Sequence, residues 1–198
     1  MITLSGNTLR PATILDFIQI CGTRLEEIAN PHNTDLTRNY LNGTIPREWG
    51  SMKLVNMVVE FNQLSGVLPP ELGNLPRLER LLLTSNYFTG NLPATFAKLI
   101  TLKHLRLGDN QFSETLPNFI QSWTSLEKLV MYGSGFSGPI PSGISLLNNL
   151  TDLRISDLKG PDSQFPQLKS LTNLQSLYLT GNNFTGPLPN WIDRPDYT

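Results

Sequence analysis

The protein has 198 residues, of which 39% are hydrophobic and 16% are charged, and its formal net charge is −1. This length and apolar content suffice to bury a core and exclude a highly charged disordered chain. The near-neutral balance excludes a nucleic-acid binder held by a basic face. No run approaches the roughly 20 apolar residues that span a bilayer.

Residues 1–34 form an atypical N-terminal segment. Thr23 and Glu26 have the spacing of a capping box, and five apolar residues share one face of a predicted helix: Ile14, Ile18, Cys21, Leu25 and Ile28. A helical cap or a poorly ordered lead-in is the plainer interpretation. The single cysteine forms no intramolecular disulfide and is predicted to be a buried thiol.

A 24-residue period organises the rest of the chain. Repeats start near residues 31, 54, 78, 102, 126, 150 and 174, and a short tail, residues 193–198, follows the predicted repeat domain 35–192. Most repeats share an asparagine flanked by apolar residues: Asn39, Asn62, Asn86, Asn110 and Asn182. Where the period expects two further asparagines, the chain has Ser134 and Leu158.

Each repeat follows the pattern LxxLxLxxNxLxGxIP, which matches the leucine-rich repeat of plant extracellular proteins. Leucines in the LxL step point one way from a short strand, and the asparagine can satisfy backbone groups where the chain turns. No repeat buries its leucines alone, so the repeats must stack. We therefore predict an α/β chain, mostly β and loop: a right-handed leucine-rich-repeat solenoid, a horseshoe segment of about seven repeats with a concave parallel β-sheet.

One repeat departs from this pattern. Leu158 cannot make the asparagine hydrogen bonds, and the Phe165–Pro166 step comes one residue late. We therefore expect a local irregularity in the coil formed by residues 150–173.

Four stretches, residues 38–46, 83–86, 108–112 and 153–158, carry a resemblance to one group. Over about residues 35–192 the sequence resembles the ectodomains of plant leucine-rich-repeat receptor-like kinases that also carry a malectin-like domain. The resemblance implies that residues 29–34 are an insertion into the first strand. It also implies that the full-length protein has a signal peptide, a membrane span and a serine/threonine kinase domain. None of these is recognisable in this chain, so we expect recognition and not catalysis.

The non-leucine strand positions predict the binding surface, because solenoids bind on their concave face. One group is apolar where solvent is expected, and another combines tyrosine with arginine, residues enriched in binding hot spots. The predicted site comprises Val58, Phe61, Leu82, Arg106, Asp109, Tyr132, Arg154, Asp157 and Tyr178. Ordinary surface residues, with Arg106 paired to Asp109 and Arg154 to Asp157, are the alternative interpretation.

The sequence contains no recognisable catalytic frame, phosphate-binding loop or metal-ligand cluster. We expect no cofactor and no metal. Three Asn-x-Thr triplets are candidate N-glycosylation sites, which depend on entry into the secretory pathway: Asn42, Asn149 and Asn183.

These observations predict a ligand- or protein-recognition module from a receptor at the extracellular face of the plasma membrane. Its expected partners are a peptide, protein or glycan and a co-receptor, with no nucleic acid and no direct membrane contact from this segment. Two alternatives remain: a soluble inhibitor of a cell-wall-degrading enzyme, such as a polygalacturonase, and a truncated receptor fragment without its own function.

Overall fold

The computed structural model describes residues 2–3 and 32–193. In chain order the strands are β1 (Ile2–Thr3), β2 (Asn33–Asp35), β3 (Asn42–Gly43), β4 (Asn56–Val58), β5 (Gln63–Val67), β6 (Arg80–Leu82), β7 (Tyr87–Gly90), β8 (His104–Arg106), β9 (Gln111–Phe112), β10 (Lys128–Met131), β11 (Asp152–Ile155), β12 (Ser163–Gln164), β13 (Ser176–Tyr178) and β14 (Phe184–Thr185). The helices are six short 3-10 segments: η1 (Arg47–Ser51), η2 (Pro70–Asn74), η3 (Ala94–Lys98), η4 (Asn118–Ser122), η5 (Ser142–Leu146) and η6 (Asn190–Asp193).

Eight strands form one parallel sheet, the long sheet, in the order β1-β2-β4-β6-β8-β10-β11-β13. From β4 onward each strand pairs in register with the residue 24 positions further along the chain, as Leu81 with Leu105 and Leu129 with Leu153. In a leucine-rich-repeat solenoid this sheet lines the concave side. The predicted fold class is confirmed.

The core lies behind the long sheet as a continuous column of apolar side chains. Because side chains alternate across a strand, the middle residue of each strand points inward, and five of them are fully buried: Met57, Leu81, Leu105, Leu129 and Leu153. The leucine that begins each repeat closes the same core from behind, as Leu78 and Leu102 do at 0% exposure. Stacking therefore buries in each coil what a single coil would leave in water.

A proline immediately precedes each of the first five 3-10 helices. Its fixed φ holds the chain extended before the helix, and its carbonyl accepts the first helical bond, as when the Trp49 N–H donates to Pro46 O at 3.2 Å. Each helix then turns one apolar side chain into the core: Trp49, Leu72, Phe96, Ile120 and Ile144.

The asparagines of the repeat are buried and bridge neighbouring coils. The Asn86 Oδ1 accepts from the Leu64 N–H at 3.0 Å, and its Nδ2 donates to the carbonyls of Val59 and Leu83 at 3.0 and 3.1 Å. The same pattern recurs at Asn62 and Asn110, and Asn39 and Asn182 are buried to the same degree.

A second, smaller parallel sheet follows the asparagines, in the order β3-β5-β7-β9. Gly66 and Gly90 lie in its strands at φ +78° and +73°, a region open to glycine and costly for other residues. The next repeat has Glu114 in the glycine position, and Glu114 does not adopt a positive φ. The sheet ends at β9; beyond it isolated bridges link Thr115, Ser137 and Lys159, and β12 pairs with β14 in a separate two-stranded parallel sheet.

The coil formed by residues 150–173 differs from its neighbours, as the sequence predicts. No 3-10 helix lies between β11 and β13 within this described stretch, although every other coil from η1 to η6 has one. Phe165 instead packs against Phe184 and Trp191, with ring centroids 5.2 and 5.8 Å away. Leu158 is buried and its backbone N–H donates to Asn182 Oδ1 at 3.2 Å.

The end of the predicted insertion 29–34 is part of the sheet: Asn33 and Thr34 belong to β2 and pair with β4. That residues 29–34 are an insertion stays a prediction. Thr34 is 4% exposed in the column that holds leucine in later coils, because the strand register places every second residue inside. The predicted helical face of residues 14–28 and the tail after residue 193 lie outside the described residues.

Candidate functional site

The long sheet displays one row of outward side chains across six coils. Strand register aligns Val58 with Leu82, then Arg106, Val130, Arg154 and Tyr178. The backbone beneath this row is held by the sheet and by a fully packed core. The row therefore presents its side chains from a rigid base.

Arg154 and Tyr178 form the end of this row at β11 and β13. The Arg154 guanidinium carbon lies 4.7 Å from the centroid of the Tyr178 ring, a cation–π distance. Arg154 Nε donates to Asp152 Oδ1 at 2.8 Å, so the predicted pairing of Arg154 with Asp157 is wrong. Asp152 lies on the same face of the same strand, two residues away, which places its carboxylate within easy reach of Nε.

Tyr132 lies back over a glycine of the preceding coil. A Cβ at Gly108 would come within 3.0 Å of Cε2 and Cζ of the Tyr132 ring, so only glycine leaves this space free. Burial raises the pKa of Tyr132, and the nearby carboxylates of Asp109 and Glu60 raise it further. The ring is still 38% exposed, so it is both fixed in place and accessible.

Arg106 reaches back across β6 toward an acidic residue two coils away. Its Nη1 lies 3.9 Å from Oε1 of Glu60, a residue that is 8% exposed. The predicted pairing of Arg106 with Asp109 is therefore wrong. Leu82 lies on the intervening strand and is only 3% exposed. At this exposure the prediction that Leu82 is an exposed apolar residue is wrong.

A shallow concavity of about 350 Å³ lies beside this contact, between β2 and β8. Acidic and basic groups face each other across it: Asp35, Glu60, Arg80 and Arg106. Val58 and Leu82 form its apolar part. Glu60 and Arg80 are absent from the predicted site, and the sequence signal that could have found them is the alternation of charge along the outward strand positions.

The residues three positions after those of the row that contains Val58, Leu82, Arg106 and Arg154 form a second row. This second row leaves the sheet, because its residues adopt a left-handed backbone. Phe61, Ser85, Asp109 and Asp157 have φ between +48° and +58°, and Gly133 and Gly181 share the row with φ +54° and +67°. These two glycines are the sequence signal for that conformation. The turn moves the side chains from the face of the sheet to its flank.

Two of the predicted residues consequently line a separate groove of about 390 Å³, the flank groove. Phe61 and Asp109 lie there with Ser85 and Tyr87, above the buried amides of Asn62 and Asn86. The structure thus separates Phe61 and Asp109 from the predicted residues on the face of the sheet. Four of the latter form the surface that we call the ridge: Arg106, Tyr132, Arg154 and Tyr178.

His104 lies on the outward face of β8, one row before the ridge. Its Nε2 is 3.6 Å from Glu127 Oε2. Burial lowers the pKa of His104, and the positive charge of Arg80 lowers it further, while Glu127 opposes the shift. Lys103, the preceding residue, bonds Glu79 at 2.9 Å.

The other predicted groups are placed as follows. Asp109 and Asp157 are separated by the coil of Gly133, and each accepts a hydrogen bond from a serine. No three His, Cys, Asp or Glu side chains in the described part of the chain are grouped as metal ligands. Asn42 is half-buried, whereas Asn149 and Asn183 are exposed; glycosylation at the three stays a prediction.

Comparison with known proteins agrees with this geometry. A family model described as Leucine Rich Repeat matches residues 77–99, 101–123 and 173–194. A probable leucine-rich-repeat receptor-like serine/threonine-protein kinase of Arabidopsis thaliana is 52% identical in an alignment 88 residues long; the match covers 32% of this chain and 9% of the relative. The chain therefore spans a small part of that protein.

Solved structures of plant receptors have the same fold. The peptide hormone receptor RGFR1 from a plant, in complex with RGF2, matches 81% of this chain and 26% of its own length with a TM-score of 0.78 and 34% identity. The Arabidopsis receptor kinase HAESA, in complex with the peptide hormone IDA and the co-receptor SERK1, matches 81% of this chain and 28% of its own with a TM-score of 0.76 and 31% identity.

The chain is therefore a leucine-rich-repeat solenoid similar to the ectodomains of plant receptor kinases. The predicted resemblance to those receptors is confirmed, and the association with a malectin-like domain stays a prediction. None of the helices within the described residues has the length and apolar character that crossing a membrane requires.

Proposed function

We propose that this chain is a recognition segment of the extracellular domain of a plant receptor-like serine/threonine kinase, and that it binds a peptide along the ridge. The observation that carries the proposal is the run of aromatic rings and guanidinium groups held on the rigid sheet. Tyr132 lies over Gly108, and Arg154 is stacked on Tyr178 and bonded to Asp152. Side chains fixed before binding lose little entropy when a ligand arrives.

The chemistry of the ridge fits an extended peptide. Tyr178 is 55% exposed and offers an apolar ring with a hydroxyl at its tip, and Arg154 remains 43% exposed at its side chain. Such groups bury apolar area and donate hydrogen bonds to peptide carbonyls or carboxylates. The similar receptors RGFR1 and HAESA, solved with RGF2 and IDA, support a peptide as the ligand class.

In this proposal the chain contributes recognition, and phosphoryl transfer belongs to a kinase domain of the kind that its Arabidopsis relative is named for. The proposal also places the chain outside the cell. A co-receptor is a further proposed partner, because the HAESA structure contains one.

The test is selection of a random linear peptide library on the immobilised chain, followed by measurement of the dissociation constant of a synthetic enriched peptide. We expect Tyr132→Ala and Arg154→Ala each to weaken binding by roughly tenfold or more, as hot-spot residues do. Leu146→Ala is the matched control, because Leu146 is exposed on η5, outside the ridge. Peptides that bind both ridge variants as tightly as the unmodified chain would show that the ridge is not the site.

The same preparations distinguish the inhibitor alternative. Inhibition of a purified polygalacturonase by the chain, abolished neither by Tyr132→Ala nor by an enriched peptide, would favour that alternative and contradict the proposal.

A further inference from the structure

The flank groove is a second surface that the ridge does not use. Its walls are the rings of Phe61 and Tyr87, which are 45% and 51% exposed. Ser85 and Asp109 complete its lining above the asparagine ladder. Two exposed aromatic rings beside a carboxylate are unusual on a soluble surface, where large apolar groups are mostly covered.

The carboxylate of Asp109 has no cation beside it. Its Oδ2 accepts from the Ser85 hydroxyl at 3.2 Å, and no Lys, Arg or His of the described residues lies within 4.0 Å of it. Arg106, three residues earlier, is directed to Glu60 instead. The groove therefore has a negative end that is not neutralised by an ion pair.

Arg38 is the other positive charge near the groove, and it lies at the opposite end. It belongs to the coil before Phe61, three coils from Asp109, which is about 14 Å at the strand spacing. Charges at this distance are largely screened at physiological ionic strength, where the Debye length is about 8 Å. Arg38 is not among the lining residues; its guanidinium contacts the Phe61 ring from the preceding coil.

Phe61 and Asp109 are two coils apart, about 10 Å between their backbones at the strand spacing. A planar guanidinium stacked about 4 Å from the ring holds its N–H groups in its own plane, so it can donate to a carboxylate that lies beyond the edge of the ring. The Arg38 guanidinium carbon already lies 5.5 Å from the Phe61 centroid, so this ring accepts such contacts.

We propose that the flank groove binds an arginine side chain of a protein partner, with its guanidinium stacked on the Phe61 ring, its N–H groups directed at the Asp109 carboxylate and its stem against Tyr87. No ridge residue lines this site. Arginine fits better than lysine because its planar group stacks on a ring while it bonds a carboxylate with two N–H groups.

The test is an NMR titration of the isotope-labelled chain with the peptide acetyl-Gly-Arg-Gly-amide. We expect the amide signals of Phe61, Tyr87 and Asp109 to shift with a dissociation constant in the millimolar range, and citrulline in place of arginine to bind roughly tenfold more weakly. Citrulline has nearly the same shape and no charge. Raising the salt concentration should weaken the arginine peptide only.

Matched variants separate this site from the fold and from the ridge. Asp109→Asn removes the charge and tolerates the left-handed backbone, and it should weaken the arginine peptide by roughly tenfold. Asp157→Asn is the control, because Asp157 is exposed with φ +58° in the same row and lies outside the groove. The ridge variant Arg154→Ala should leave this titration unchanged.

Three results would each overturn the inference: equal binding of the citrulline peptide, undiminished binding to Asp109→Asn, or no shift of the groove signals throughout the millimolar range. A titration that succeeds while the ridge variants bind their peptides normally would overturn the proposed function alone.

Discussion

The asparagine ladder is the feature whose removal has the most direct energetic consequence. Asn86 is 5% exposed, and its side chain accepts one hydrogen bond and donates to Val59 O, Leu83 O and, at 3.4 Å, Thr84 O. In Asn86→Ala the carbonyls of Val59 and Leu83 keep a second donor, from the Asn62 and Asn110 side chains respectively. Leu64, a fully buried residue, loses the partner of its N–H.

The cost of Asn86→Ala can be worked out from these bonds. An orphaned buried N–H costs about 1–3 kcal/mol, and each of the two other strong bonds contributes about 0.5–1.5 kcal/mol. We expect a total loss of about 3–4 kcal/mol in the free energy of unfolding, which is a large share of the stability of an ordinary domain.

Urea unfolding followed by tryptophan fluorescence measures this loss, because Trp49 and Trp123 are buried reporters. The exposed Asn91 provides the control substitution Asn91→Ala, which should change the unfolding free energy by less than about 0.5 kcal/mol. A loss below about 1 kcal/mol for Asn86→Ala would refute the reasoning, because it would mean that water or a backbone shift replaces the ladder.

Two further predictions concern titrating groups of the long sheet. Burial lowers the pKa of His104 in the folded state, so the contribution of this histidine to the free energy of unfolding should be fully present above the unfolded pKa of about 6.5 and should be lost as the pH falls through the lower folded pKa. His104→Asn should therefore flatten the pH dependence of the urea midpoint between about pH 5 and 7.5. A pH dependence that is as steep in the variant as in the unmodified chain would exclude this origin. Gly108→Ala should displace the Tyr132 ring and bring the raised pKa of its hydroxyl back toward the ordinary value, as measured by ultraviolet titration of the phenol. A pKa that stays raised would show that the position of the ring does not depend on the glycine.

The repeat pattern determined much of the fold. Leu81, Leu105 and Leu129 are recognisable as core residues because a strand needs only its own alternation to decide which side faces inward. The asparagine positions were readable because they recur with the 24-residue period, and the irregular coil around Leu158 because it departs from that period.

The tertiary structure decided which outward residues act together. The sequence placed Leu82 on the surface and paired Arg106 with Asp109, but Leu82 is buried and Arg106 is directed to Glu60 two coils away. It also placed Phe61 and Asp109 on the concave face, although the left-handed row turns both toward the flank. A long side chain spans the roughly 4.8 Å between coils, so its partner is set by residues 24 or 48 positions away and by backbone direction. A local period fixes what is buried in each coil, whereas the stacking of coils decides what each exposed side chain contacts.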